Sequence, residues 1–109
     1  MKIEVKDYQG MKLLALSGDI DMYSSPALRE AMMGLVRQRV TPLLVDFQRV
    51  PYIDSSGIAT CVEALKGMMS YGGRLKLIGL ADGVRQIFSF SKLDKVFEIY
   101  GTFEDALQS

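Results

Sequence analysis

Asp54, Ser55 and Ser56 place a carboxylate beside two hydroxyl groups, and Gly57 follows them directly. An apolar stretch precedes this group and residues with helical spacing follow it, so we expect it to lie at the start of a helix. Asp and Ser side chains accept hydrogen bonds from the first N–H groups of a helix. The same hydroxyls can also act as nucleophiles or accept a phosphoryl group. These residues can therefore serve either to cap the helix or to carry chemistry, and the rest of the sequence is needed to decide between the two interpretations.

The composition argues against catalysis at these hydroxyls. No histidine occurs in the chain, which removes Ser-His-Asp triads, Cys-His pairs and histidine metal sites. The single cysteine, Cys61, cannot supply the several thiolates of a zinc site. The chain has neither a P-loop nor the glycine spacing of a dinucleotide-binding site. We therefore expect no enzyme activity, no cofactor and no metal.

Length and charge narrow the class of protein further. The 109 residues fit one domain, residues 1–109. Thirteen basic and thirteen acidic residues cancel, so we expect no direct nucleic-acid binding. No apolar run approaches the ~20 residues of a membrane span, so we expect no membrane insertion. One cysteine fits the reducing cytoplasm, and the sequence leaves both a monomer and a weak dimer open.

Hydrophobic periodicity predicts alternating strands and helices. Strands are expected near residues 3–5 and at residues 11–17, 43–47, 74–78 and 96–100. Serines before Pro26 predict a capped first helix, and the second helix follows Gly57. Asp82 is a candidate cap for a third helix, and Thr102 with Asp105 resembles the capping box of a fourth.

The order β-β-α-β-α-β-α-β-α predicts a single α/β domain. Its sheet should be mixed and mostly parallel, with an N-terminal antiparallel hairpin and about four helices. In such a sheet, the loops after the carboxyl ends of the strands form the usual functional edge. Asp54 to Gly57 belong to that edge, and Asp21, in the loop after the second strand, is a candidate for the same place.

A serine at a helix start is suited to be a switch. The N-terminus of a helix tolerates an added phosphate, because its N–H groups and its dipole favour negative charge. A phosphoserine adds about −1.5 to −2 charges at neutral pH, which changes the surface without unfolding the domain.

Three segments carry a resemblance to a known family. They are "DSSGI" at residues 54–58, "LSGDIDMYSSPALRE" at residues 16–30 and "LDKVFEIYGTFEDAL" at residues 93–107. Together they resemble the STAS family, and within it the stand-alone bacterial anti-sigma factor antagonists. Ala59 departs from the pattern, since many members have a second glycine there. The resemblance spans essentially the whole chain and implies the STAS fold.

The resemblance also implies roles for particular residues. In members that switch, a kinase that is itself the anti-sigma factor phosphorylates the serine before the glycine, which is Ser56 here. The unphosphorylated antagonist binds this kinase and so releases sigma factor, and a PP2C-type phosphatase restores that form. The residues expected to contact the partner are Asp21, Asp54, Ser55, Gly57 and Ile58.

Two other functions remain open from the sequence. One is a STAS subunit that does not switch and docks permanently on another partner, such as a lipid-transport ATPase. The other is a small hydrolase with Ser55 or Ser56 as nucleophile, which would need a distant base such as Lys66. An intact D-S-S-G favours the switching protein.

The sulfur-containing residues are expected to serve packing. Cys61 lies on the predicted apolar face of the second helix, so a core thiol is favoured over a redox sensor. Met32 and Met69 fit the predicted core stripes of their helices. Met33 and Met68 are candidates for partial exposure.

Overall fold

Strands and helices alternate along the chain after an N-terminal hairpin, as the sequence predicts. The computed structural model describes residues 1–109. A short 3-10 helix, Leu93–Lys95, precedes the last strand. The strands are β1 (Lys2–Tyr8), β2 (Met11–Ser17), β3 (Leu43–Arg49), β4 (Leu75–Ile78) and β5 (Glu98–Tyr100), and the helices are α1 (Ser25–Arg37), α2 (Ser55–Met69), α3 (Asp82–Phe90) and α4 (Phe103–Leu107).

The five strands form one mixed sheet in the order β1-β2-β3-β4-β5. β1 pairs with β2 in antiparallel orientation, and every other pair is parallel. The predicted single-domain α/β fold with an N-terminal hairpin is therefore confirmed. The carboxyl ends of β2, β3, β4 and β5 lie at one edge of the sheet, and the loop before α2 leaves from this edge.

Helices cover both faces of the sheet. Leu14, Val45 and Leu77 occupy neighbouring positions on one face, where they join the main core with side chains of α1, α2 and α3. On the opposite face, Leu13 and Leu44 belong to a smaller cluster that α4 covers. This double coverage explains why β3 begins with a continuous apolar run.

The structure corrects two of the predicted helix caps. Ser24 is the N-cap residue of α1, but its hydroxyl bonds no helical N–H group and instead donates to the carbonyl of Asp19 at 2.8 Å. Asp82 is the first residue of α3, and the cap position belongs to Ala81. Thr102 caps α4 as predicted, since its hydroxyl accepts a bond from the N–H of Asp105 at 3.1 Å.

The C-terminal end of α2 also differs from the prediction. The buried line along this helix runs through Gly57, Cys61, Ala64 and Met68. Met68 is fully buried and Met69 is exposed, the reverse of what the spacing from Leu65 suggested. The reason is that the buried residues of α2 follow Gly57 at intervals of three and four positions, which leads to Met68. Met69, one residue later, is rotated by about 100° around the helix axis and so points away from the sheet.

The other predictions about sulfur-containing residues are confirmed. Met32 and Cys61 are buried in the main core, and Met33 is partly buried against it. Burial raises the pKa of the Cys61 thiol to about 12. No helix combines the length and the apolar composition that crossing a bilayer requires.

Candidate functional site

Two loops meet beyond the carboxyl ends of β2 and β3. Ile20 and Ile53 pair there as an isolated parallel bridge. The N–H of Ile20 donates to the carbonyl of Tyr52 at 2.9 Å, and the N–H of Asp54 donates to the carbonyl of Ile20 at 3.0 Å. The bridge therefore brings the loop that contains Asp21 beside the start of α2, on the edge where the sequence suggested it.

Asp54 caps α2 with its side chain. Its backbone is extended, and Oδ1 accepts hydrogen bonds from the N–H groups of Ser56 at 2.9 Å and Gly57 at 3.3 Å. The backbone carbonyl of Asp54 accepts the bond from the N–H of Ile58. The capping interpretation of this motif is therefore correct, and it falls on Asp54 rather than on either serine.

The Ser56 hydroxyl donates to the same oxygen of Asp54 at 2.6 Å. This bond is the main reason why the pKa of the Asp54 carboxyl lies below its usual value, and the N–H groups of Gly57 and Ser56 lower it further. The bond also fixes the orientation of the Ser56 side chain, which is half-buried. Ser55, one residue earlier, is exposed and its side chain makes no hydrogen bond within the protein. The two adjacent hydroxyls therefore have different environments.

Gly57 is required by the packing of α2 on the bridge. A Cβ atom at this position would lie 2.5 Å from Cγ2 of Ile20 and 2.6 Å from Cγ1 of Ile53. Both isoleucines are fully buried, so neither has free space into which to move. Gly57 thus holds the cap and Ser56 close to the sheet edge.

Asp21 shapes the neighbouring loop. Its Oδ1 accepts bonds from the N–H groups of Tyr23 at 2.9 Å and Ser24 at 3.0 Å, which closes a tight turn before α1. The N–H of Met22, in the same loop, is among the groups that lower the pKa of the Asp54 carboxyl. Asp21 therefore acts locally by ordering the loop, and this loop reaches the cap of α2.

Exposed apolar side chains lie in the two loops that meet at the cap of α2, and their exposure was not predicted from the sequence. Met22 is 66% exposed, Tyr23 88% and Tyr52 50%. We call these three residues the apolar rim. Tyr52 belongs to the apolar stretch that precedes Asp54, but only its neighbour Ile53 is buried. Ile58, a predicted contact residue, is partly buried against the main core, so only part of its side chain faces outward.

The arrangement offers a hydroxyl and one carboxylate, with no further catalytic group in contact. A carboxylate alone activates a serine weakly as a nucleophile. The structure contains no group of three or more His, Cys, Asp or Glu side chains that could hold a metal ion. What the geometry presents is an oriented serine on an apolar surface at a helix start.

The STAS domain family model matches residues 2–106, which is nearly the whole chain. The chain belongs to the STAS family. Its mixed sheet with an N-terminal hairpin is thus the fold of a STAS domain, as the sequence resemblance implied.

Related STAS proteins are anti-sigma factor antagonists. The anti-sigma-B factor antagonist of Bacillus subtilis is 30% identical over 108 residues, which cover 99% of this chain and 98% of that protein. The anti-sigma-F factor antagonist of Mycobacterium tuberculosis is 28% identical over 108 residues, covering 96% of this chain and 85% of that protein. A crystal structure of an anti-sigma factor antagonist from Mycobacterium paratuberculosis superimposes with a TM-score of 0.89 at 27% identity, covering 98% of this chain and 91% of that one.

Proposed function

We propose that this STAS protein is an anti-sigma factor antagonist whose binding is gated by phosphorylation of Ser56. In its unphosphorylated form it holds an anti-sigma factor that is also a serine kinase, and sigma factor is thereby released. Phosphorylation of Ser56 ends this binding. A PP2C-type phosphatase returns the protein to its binding form, and the cycle takes place in the cytoplasm.

One observation carries the proposal. Ser56 lies at the start of α2 beside the apolar rim, in a chain that aligns over nearly its full length with anti-sigma factor antagonists. Interfaces are enriched in Tyr and Met, and a phosphate in the middle of such a patch acts directly on binding. Asp21, Asp54, Ser55, Gly57 and Ile58 support the same surface, some by contact and some by holding the loops in place.

The gate works through charge. Phosphorylation adds about −1.5 to −2 charges at a surface that is buried in the complex. Opposing a like charge or removing such a group from water in an interface costs several kcal/mol. A penalty of about 4 kcal/mol weakens binding roughly a thousandfold. This suffices to release the partner while the STAS domain stays folded.

The chemistry belongs to the partner rather than to this chain. Phosphoryl transfer forms a bond between Oγ of Ser56 and the γ-phosphorus of ATP, breaks the bond from that phosphorus to ADP, and passes the hydroxyl proton to a base of the kinase. A hydrolase with Ser55 or Ser56 as nucleophile would need a base within hydrogen-bond reach. Lys66 lies ten residues further along α2, about 15 Å away at 1.5 Å per residue. We therefore assign no enzymatic activity to the chain.

Phosphate mapping tests the assignment of Ser56. The protein is incubated with the anti-sigma kinase and ATP, and the modified residue is identified by mass spectrometry. We expect one phosphate on Ser56, its loss in Ser56→Ala and its retention in the matched variant Ser55→Ala. Phosphate mainly on Ser55 or elsewhere would refute the assignment.

A binding measurement tests the gate itself. We expect the unmodified protein to bind the anti-sigma kinase and the phosphorylated protein to bind it at least about a hundredfold more weakly, as a penalty near 3 kcal/mol implies. Equal affinities would refute gating. Co-purification with a transport ATPase instead of a kinase would favour a STAS subunit that does not switch.

A further inference from the structure

One oxygen atom of Asp54 serves three donors at once. Oδ1 accepts from the Ser56 hydroxyl at 2.6 Å, from the Ser56 N–H at 2.9 Å and from the Gly57 N–H at 3.3 Å. The N–H of Ile58 is bonded to the backbone carbonyl of Asp54. Among the first-turn N–H groups of α2, only that of Ser55 donates no hydrogen bond. Two of the three N–H groups that a phosphate could use at this helix start, those of Ser56 and Gly57, are therefore occupied already by Asp54.

Phosphorylation makes the observed geometry untenable. The ester oxygen of a phosphoserine has no hydrogen, so Oγ can no longer donate to Asp54. Two acceptor atoms would then face each other at the 2.6 Å that now separates donor and acceptor. The phosphate also places a second negative group beside the carboxylate, and like charges at such short range repel strongly.

We propose that a phosphate on Ser56 displaces the Asp54 carboxylate and takes over the N–H groups of Ser56 and Gly57, so that phosphorylation exchanges one helix cap for another. This inference deepens the proposed function and rests on Ser56 as the phosphorylated residue. The phosphate wins the competition because it offers three acceptor oxygens and up to twice the charge of the carboxylate.

No lysine or arginine forms an ion pair with the Asp54 carboxylate that would hold this side chain in place against the competition. The side chain is only partly buried, so it can turn outward into water.

A structure of the modified protein tests the exchange directly. Phosphoserine is inserted at position 56 during synthesis of the full chain, without any kinase. We expect phosphate oxygens within about 3.2 Å of the Ser56 and Gly57 nitrogen atoms, and Asp54 Oδ1 beyond about 3.5 Å from both. A phosphate that points into water while Asp54 still caps α2 would overturn the proposal.

Thermal unfolding provides a second, independent test. In the unmodified protein, Asp54→Ala removes a cap and is expected to lower Tm by about 4 °C or more. In the protein with phosphoserine at position 56, the same substitution should lower Tm by less than half as much, because the carboxylate is already displaced. Equal losses in both forms would contradict the exchange.

Thr102→Ala is the matched control. The Thr102 hydroxyl caps α4 by accepting a hydrogen bond from the N–H of Asp105 at 3.1 Å, and the substitution removes this cap. It should lower Tm equally in the two forms, and a loss that changes with phosphorylation would show that the comparison is not specific to Asp54. Neither measurement involves a kinase or a binding partner, so a failed exchange is distinguishable from a failed gate.

Discussion

Ile20 and Ile53 pair across two loops beyond the ends of β2 and β3, and both side chains are fully buried. Asp54 follows one member of this pair directly and Asp21 follows the other. Because the pair is part of the main core, the loops that carry Asp21 and Asp54 are fixed relative to each other. The candidate site is therefore held by the core beneath it, and Gly57 is where α2 meets this support.

We expect Gly57→Ala to destabilise the protein by about 1–3 kcal/mol, the usual effect of an added group in a filled core. The new methyl group would approach Ile20 and Ile53 to 2.5 and 2.6 Å, and these side chains have no room to retreat. Denaturant unfolding measures the effect. The strain should also shift the cap, so partner binding and phosphorylation should fall with stability.

Gly34→Ala in α1 is the matched control. Its Cβ atom would meet only the end of Arg37, at 3.9 Å. Replacing a helical glycine by alanine then stabilises by about 0.4–1 kcal/mol. If the two substitutions changed stability alike, the close packing of Gly57 would not be what the position requires.

The apolar rim leads to a prediction about affinity. Tyr23→Ala and Tyr52→Ala should each weaken binding of the anti-sigma factor by about tenfold or more, since exposed tyrosines at the centre of an interface are frequent hot spots. Their effect on the free energy of unfolding should stay within about 0.5 kcal/mol, as is usual for surface positions. Titration calorimetry and thermal unfolding measure the two quantities.

Phe90→Ala serves as the control for this surface. Phe90 is 84% exposed, but it lies at the far end of α3, away from the carboxyl edge of the sheet. The substitution should leave affinity unchanged. A loss of affinity at Phe90 together with none at Tyr23 or Tyr52 would move the interface to α3.

The sequence predicted what short-range physics determines. Period-two and helical spacing gave the element order, and the place of D-S-S-G between an extended segment and a helix gave the cap. Asp54 bonds to residues two and three positions away, so its role is encoded locally. The position of the candidate site at the carboxyl edge of the sheet could be predicted from the alternation of strands and helices, since this alternation indicates parallel strands.

Contacts between distant residues escaped prediction. Lys76 alternates with leucines as an exposed residue would, yet it is buried because α4 covers it, and its Nζ donates to the carbonyl of Ala106 at 2.7 Å. Likewise, Tyr52 follows apolar residues but points outward, since only Ile53 pairs with Ile20. Neither outcome can be read from neighbouring residues, because each depends on an element elsewhere in the chain.

Cys61 should be unreactive in the folded protein. It is fully buried, and burial raises its pKa to about 12. At pH 8 its thiolate fraction is more than about a thousandfold below that of an ordinary cysteine, and only the thiolate attacks disulfide reagents. We expect Ellman's reagent to label it only in denaturant. Ser55→Cys adds an exposed thiol as an internal control and should react at once, whereas rapid labelling of the unsubstituted folded protein would contradict the burial.

The lowered pKa of Asp54 predicts how its contribution to stability depends on pH. The main cause is the hydrogen bond from the Ser56 hydroxyl, which favours the ionised carboxylate in the folded state. This contribution is fully present above the unfolded pKa of about 4 and is lost as pH falls through the lower, folded value. Asp54→Asn keeps a capping oxygen but does not titrate. The difference in free energy of unfolding between the two proteins should therefore be constant from pH 7 to about 5 and should shrink toward pH 2. Other carboxylates with lowered pKa values, such as Glu63, cancel in this comparison. A difference that stays the same over the whole range would mean that Ser56 does not stabilise the charge on Asp54.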